Sequence, residues 1–440
     1  MLTRKTPHVV IIGAGFCGLA AGYELGKRGV RVTIFEMDEG IGGLAGSFQV
    51  NGVRLEKFYH HWFNNDKHVM TLIDELGMQD QVILRATRTG MYYANNFFKL
   101  STPFDVLRFK PLSMLDRFRL GLLVLRARRV KNWRQLENLS AEEWLREKGG
   151  DKVYEIIWEP LLRGKFGEYA SEISAVWFWN KLKLRGGSRG KGGKEQLAYY
   201  RGGFIALAEE IAAHIESTGG RLITNKAVDH IVVHEGKVTG VEADGDQFQA
   251  DAVIATPALP IIADLIEPHV SHDFIERLRR IKYLANMCLI LELDRSLSDI
   301  YWLNVNDPMF PFVAVIEHTN FEPRDSYGGR NIVYLSKYLP ESSDLFRMQD
   351  GELLKFTIPH LQKMFPAFKR DYIIDHHVWR AKYSQPVVER NYSALIPAQE
   401  TVLSNLFITT MAQIYPEDRG TNYAIGEGRK IAIKIANKFR

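Results

Sequence analysis

Three glycines and one carboxylate are the residues of this chain whose spacing points most directly to chemistry. Gly13, Gly15 and Gly18 stand in G-x-G-x-x-G order, and Glu36 follows about twenty residues on, as in a dinucleotide site. In that order Gly13 permits a tight turn, Gly15 lets a pyrophosphate approach the backbone, and Gly18 lets a helix pack closely on a strand. Glu36 is placed to accept hydrogen bonds from a ribose 2′-hydroxyl and would repel a 2′-phosphate there. A second group is His60, His61 and Trp62. A histidine with a near-neutral pKa suits proton handling, but adjacent residues of a strand point to opposite faces, so one of the pair at most faces a given site. No metal-ligand spacing accompanies them.

The elements that must position these residues are legible around them. Val9 to Ile12 has the make-up of a buried strand, the apolar residues then take helical period over Phe16–Lys27, and a second strand, Val30 to Phe35, ends at Glu36. An ADP-containing cofactor would place its phosphates at the N-terminus of that helix, where free N–H groups and the helix dipole favour anions.

With 440 residues, 46% hydrophobic and 25% charged, the chain has an ordinary globular composition with room for two or more subdomains. No apolar run approaches the roughly eighteen residues of a membrane span. MLTRKTPHVV enters the first strand without an apolar leader, and two cysteines, Cys17 and Cys288, make neither a disulfide framework nor a metal cluster; both facts predict a reducing cytoplasm. The net charge of +5 is unevenly placed. Between Arg108 and Arg134 nine Lys and Arg face the single acid Asp116, and between Lys181 and Arg201 seven face Glu195. Nucleic acid fits poorly, because no recognised binding motif accompanies the charge. Phe104 to Arg129 reads as a basic amphipathic helix, with two readings open: a core helix with a solvated basic rim, or a stretch lying on an anionic membrane. The glycine-rich basic loop has two readings as well, a solvated loop or a phosphate-binding one.

Past Glu36 the segment MDEGIGGLAGSF brings Gly42, Gly43 and Ser47. It resembles the second flavin fingerprint of the family that contains flavin amine oxidases, protoporphyrinogen oxidases and phytoene desaturases. The resemblance continues through the DAVIATP strand and the closing segment Leu406 to Asn422, so it spans essentially the whole chain. It implies an α/β fold: a Rossmann-like FAD-binding domain with inserted helical and mixed-strand substrate domains. The expected division is 1–95, 196–258 and 404–440 for FAD, 96–195 for the helical insert and 259–403 for the substrate domain. By resemblance the FAD contacts are Gly13, Gly15, Phe16, Cys17, Gly18, Glu36, Met37, Gly42, Gly43, Leu44, Ser47, Val228, Thr256, Pro257, Asp418, Gly420, Thr421 and Asn422. Leu44 stands where the family commonly has arginine, a departure also found in flavin-dependent pyranose mutases. No cysteine lies near the C-terminus, so FAD is expected to be non-covalent.

The resemblance implies an FAD-dependent oxidoreductase that transfers hydride from an apolar or lipid-linked, phosphate-bearing small molecule to flavin, with oxygen, a quinone or another acceptor beyond it. There is no second G-x-G-x-x-G and no C-x-x-C. Met287 stands where amine oxidases commonly carry lysine. His61 is the first candidate for acid–base work and Tyr415 the second. The alternative is a non-redox isomerase that uses reduced FAD on a nucleotide- or lipid-phosphate-linked sugar. Cytoplasmic placement, with peripheral contact at the inner face of the membrane, completes the expectation.

Overall fold

The computed structural model describes residues 6–50, 52–99, 103–187 and 196–439. Arg189, Lys191, Lys194 and Glu195 of the second basic cluster, and the expected boundary at residue 195, lie outside the described residues. The first unit grows from β1 (His8–Ile12), α1 (Phe16–Gly26) and β2 (Arg31–Phe35). β3 (Arg221–Ile223), β4 (Ala252–Ala255) and β5 (Leu406–Ile408) join them in a parallel sheet of order β3-β2-β1-β4-β5. Val10 sits opposite Thr33 on one side and Val253 on the other. Val9, Val10 and Ile11 are wholly buried because both faces of the sheet are covered, which is why β1 reads as an unbroken apolar run. The carboxyl ends of β1, β2, β4 and β5 bring Gly13, Glu36, Thr256 and Thr409 to one edge, where open α/β sheets bind ligands.

A second sheet of seven strands runs in the order Ile373–Pro386, Tyr283–Leu293, Asn331–Leu339, Ala314–Glu317, Trp302–Val305, Thr89–Tyr93 and Asn96–Lys99. Its last two strands form a hairpin whose turn residues, Ala94 and Asn95, have φ of 49° and 57°. Thr89–Tyr93 pairs with Trp302–Val305 in parallel. The division expected after residue 95 therefore falls inside a hairpin, between its turn and its second strand, and residues 89–99 belong to the second sheet rather than to the dinucleotide unit.

Among the described residues the insert is helical: α2 (Pro103–Leu107), α3 (Met114–Arg129), α4 (Ala141–Gly149), α5 (Glu159–Phe166, led in by the short helical turns Asp151–Val153 and Tyr154–Trp158) and α6 (Ala175–Gly187). The single helix predicted over Phe104 to Arg129 is divided. Pro111 has no N–H to continue it, and Ser113 caps α3 by accepting from the Asp116 amide at 3.2 Å. Ser140 and Glu143 form the capping box that their spacing predicts, at 3.1 and 2.7 Å. α7 (Thr421–Lys438) closes the chain against α1. A Cβ on Gly428 would lie 2.2 Å from the Cys17 carbonyl oxygen, so only glycine lets the two helices meet this closely. No helix among the described residues is long and apolar enough to cross a membrane.

Candidate functional site

The turn after β1 is held by backbone contacts. Gly13 has φ +98° and donates to the Phe35 carbonyl at 2.8 Å. Beside it, Thr256 donates from both N and Oγ1 to the Ile12 carbonyl, at 3.0 and 2.8 Å, and brings Pro257 against the same turn. A Cβ on Gly18 would lie 2.0 Å from the Gly13 oxygen. The second glycine pair folds onto the first: the Gly42 amide donates to the Ala14 carbonyl at 2.9 Å, and a Cβ on Gly43 would lie 3.3 Å from the Gly15 Cα. Leu44 follows in the short turn Gly43–Ala45, and Ser47 opens the next strand.

Glu36 is buried at the end of β2 and accepts from the amides of Ala14, at 2.8 Å, and Asp38, at 3.1 Å. Burial pushes its carboxyl above the usual range, against the pull of those amides. Asn225 and Lys226 donate from their amides to the Asp38 and Glu36 carbonyls, which brings Val228 to the same edge. The Met37 side chain is 66% exposed. At the N-terminus of α7, Thr421 Oγ1 accepts from the Trp62 indole at 2.7 Å. Asn422 Oδ1 accepts from the amides of His68 and Val69, so both side chains tie down the segment after the histidines. Cys17 lies 3.6 Å from the Thr409 carbonyl, and burial pushes its thiol up to about 12.

These features fit the adenosine diphosphate part of a dinucleotide. An added Cβ at Gly15 would meet nothing nearer than the Gly43 Cα at 3.9 Å, α1 has no side-chain cap, and a buried carboxylate stands at the ribose position.

The histidines lie in the irregular segment before the Trp62–Phe63 strand, outside the strand expected for them, and meet different partners. His61 Nδ1 lies 3.0 Å from the Tyr301 hydroxyl, with its ring edge-on to Trp302. His60 Nδ1 bonds the Phe58 carbonyl at 2.7 Å. Burial, with a further contribution from the nearby Arg419 charge, pushes His60 down to about 4, so it is neutral at pH 7. Tyr415 stands elsewhere: its hydroxyl donates to Glu137 at 2.9 Å and its ring packs on Trp133 and Tyr392. His61 and Tyr415 share no partner among these contacts, and the structure does not bring them together.

Asp418 is buried and turned into the helical insert. It accepts from the Trp177 indole at 2.8 Å and pairs with Lys181 and, at 3.7 Å, with Lys165. Burial pushes its carboxyl up, but Lys165, Lys181 and Arg419 outweigh that and hold it far below the usual range. Burial also brings Lys165 down to about 7, although Asp418 opposes the shift. The Lys165 ammonium lies 4.7 Å from the Trp177 ring centre and 5.5 Å from that of Tyr338. Arg419 donates to Gln385 Oε1 at 3.0 Å and to the Tyr338 hydroxyl at 2.9 Å. Three cations and one carboxylate thus converge with two aromatic rings directly before Gly420 and α7. Reasoning from sequence missed this cluster as a site. Its members come from four distant segments, and the only local signal was Arg419 following the Asp418 assigned to the cofactor loop.

The model of the family described as flavin containing amine oxidoreductase matches residues 16–432. The chain belongs to that family. The flavin of the family agrees with the FAD predicted from the two glycine fingerprints. AofH of Mycobacterium tuberculosis, a flavin-containing monoamine oxidase by name, is 28% identical over 268 residues, 58% of this chain and 57% of that protein. Protoporphyrinogen oxidase 2 of Arabidopsis thaliana is 26% identical over 164 residues, 36% of this chain and 32% of that one. The match thus spans just under a third of one of these relatives and just under three fifths of the other. A solved reduced UDP-galactopyranose mutase superposes with a TM-score of 0.77 at 15% identity, covering 98% of this chain and 96% of that one, a likeness of fold.

Proposed function

We propose that this family member is an FAD-dependent oxidoreductase acting on a small substrate with an apolar body and an anionic group. The observation that carries the substrate class is the convergence of Lys165, Lys181 and Arg419 on Trp177 and Tyr338. The one carboxylate there leaves a surplus of positive charge beside aromatic surface, which suits a carboxylate or phosphate on an apolar molecule. Bound FAD supplies a two-electron acceptor for hydride from a C–H or C–N bond, with oxygen, a quinone or another external acceptor as final oxidant.

The chain's own residues bind and orient. The amides of Gly15 and Phe16 at the start of α1 would hold the pyrophosphate, Glu36 the ribose, and the backbone at Val228 the adenine. The amides of Thr421 and Asn422 at the start of α7 would stabilise negative charge on a bound flavin, as a helix N-terminus does. FAD is held non-covalently. His61, whose Nδ1 meets the Tyr301 hydroxyl, takes the acid–base position; His60, neutral at pH 7 and bonded to the Phe58 carbonyl, packs on the Phe204 ring. Tyr415 supports the insert through Glu137.

A phosphate on a sugar would suit the same three cations, so the reduced-flavin isomerase is the second reading. The flavin spectrum of the purified protein, followed through dithionite reduction and readmission of air, is the first test. Acceptor consumption in proportion to product supports the oxidoreductase. Turnover that needs only catalytic reductant and consumes no acceptor moves the assignment to the isomerase, and a protein that takes up no flavin removes both.

A further inference from the structure

Helix α3 carries two apolar stripes. Asp116, Leu120, Leu123 and Ala127 are buried and form the inner one. Leu115, Phe118, Leu122 and Leu125 recur at spacings of three and four on the opposite side, and they are 47% to 62% exposed. Arg117 of α3 reaches the Leu107 carbonyl and the Met114 sulfur, which brings the exposed Leu107 and Met114 beside the outer stripe, and Phe104 is exposed on the same short helix as Leu107. Of the fifteen large apolar side chains exposed among the described residues, seven fall between Phe104 and Leu125. Exposed apolar side chains scattered singly need no explanation, but a contiguous patch of this kind marks a surface that something covers.

The charge around the patch says what covers it. At about 100° per residue, Arg119 and Arg126 flank one side of the outer stripe and Arg117 and Arg128 the other. At the end of the helix an open concavity of about 770 Å³ is lined by Arg126, Arg129, Lys131 and Lys148, with Glu147 its one acid. Two copies pressed face to face would bring these cations together. A bilayer bearing anionic headgroups neutralises them while the apolar stripe enters the acyl boundary, the geometry of an interfacial amphipathic helix. We propose that the outer face of α2 and α3 docks this protein on an anionic lipid surface, with the basic concavity seating headgroup phosphates. The proposal stands on this face alone, whatever substrate the flavin site takes.

The test is co-sedimentation of the flavin-loaded full chain with vesicles of phosphatidylcholine, alone or mixed with phosphatidylglycerol. Binding to the mixed vesicles is expected, and added salt weakens it. Phe118→Ser with Leu122→Ser lowers the affinity about tenfold or more by removing apolar burial. Arg126→Gln with Arg129→Gln lowers it about tenfold or more for the anionic vesicles only. Both double variants are surface changes, and retained flavin absorbance reports their fold. Phe118→Trp gives a second readout, a blue shift of fluorescence on adding mixed vesicles. The proposal is overturned if neither vesicle binds or if both double variants bind like the parent. A dimer, seen without vesicles and dissolved by the same substitutions, overturns it in favour of a self-association face.

Discussion

Gly18 and Gly15 stand three residues apart in one fingerprint, and the structure gives them separable jobs. In Gly18→Ala the new Cβ would lie 2.0 Å from the Gly13 oxygen, 3.2 Å from the Gly13 carbonyl carbon and 3.3 Å from Ile11 Cγ2. A carbon tolerates a carbonyl oxygen at about 3.3 Å, so α1 must retreat from β1 by more than about 1 Å. Two of the opposing atoms are backbone and cannot rotate away. Overpacking of this kind costs about 1–3 kcal/mol, and a backbone clash belongs at the upper end. Gly15→Ala is different. Gly15 has φ −70°, which alanine adopts freely, and the nearest atom to its Cβ is the Gly43 Cα at 3.9 Å. The apoprotein should therefore be unchanged or gain about 0.4–1 kcal/mol through its less flexible unfolded chain.

If a pyrophosphate approaches Gly15, the same Cβ displaces it from an amide. The loss of one charge-assisted hydrogen bond, about 1.5–3 kcal/mol, weakens FAD by about ten- to a hundredfold. Thermal melting of the stripped proteins and FAD titration by fluorescence quenching separate the two effects. Gly18→Ala is expected to lower the apoprotein melting temperature, and Gly15→Ala to leave it while weakening FAD. A Gly15→Ala protein that binds FAD like the parent would refute the placement of the pyrophosphate. A Gly18→Ala apoprotein that melts like the parent would refute the packing argument.

Glu36→Ala leaves the Ala14 amide without its carboxylate, and a buried donor left unpaired costs about 1–3 kcal/mol in denaturant unfolding. Glu36→Gln keeps an acceptor and is expected to lose FAD affinity with a smaller change in unfolding. His318 is buried and pushed down to about 3 by that burial. Below pH 6.5 the unfolded chain binds a proton that the fold excludes, so stability falls as pH drops from 6.5 towards 3, by about 4–5 kcal/mol at the limit. His318→Gln should flatten that limb in urea unfolding followed against pH, and an unchanged slope would assign it to other groups. Arg419→Gln is expected to raise KM for an anion-bearing substrate about tenfold or more with less effect on kcat, as the loss of a binding contact does. The Lys165 ammonium is lost as pH rises through about 7, so KM should climb above that pH; a KM flat from pH 6 to 9 would place the anion elsewhere.

The dinucleotide unit was legible because its determinants are local. Gly18 meets Gly13 within one turn of chain, Glu36 lies at the end of the strand that pairs with β1, and the capping box of α4 spans four residues. The hairpin at Ala94 and Asn95 was hidden because neither turn residue is glycine, although both take φ above zero. In α3 two apolar stripes on opposite sides cancel one another as a periodic signal, so the sequence read as a basic helix and left its partner open. Asp418 marks the limit most clearly. Read along the chain it stands in the cofactor loop, but its carboxylate meets Lys165, Lys181 and Trp177, more than two hundred residues away in sequence. The buried Trp177 indole and the partly exposed Lys165 and Lys181 engage that carboxylate and draw it towards the helical insert. A charge in a loop announces that it must be paired; which partner pairs it is a property of the fold.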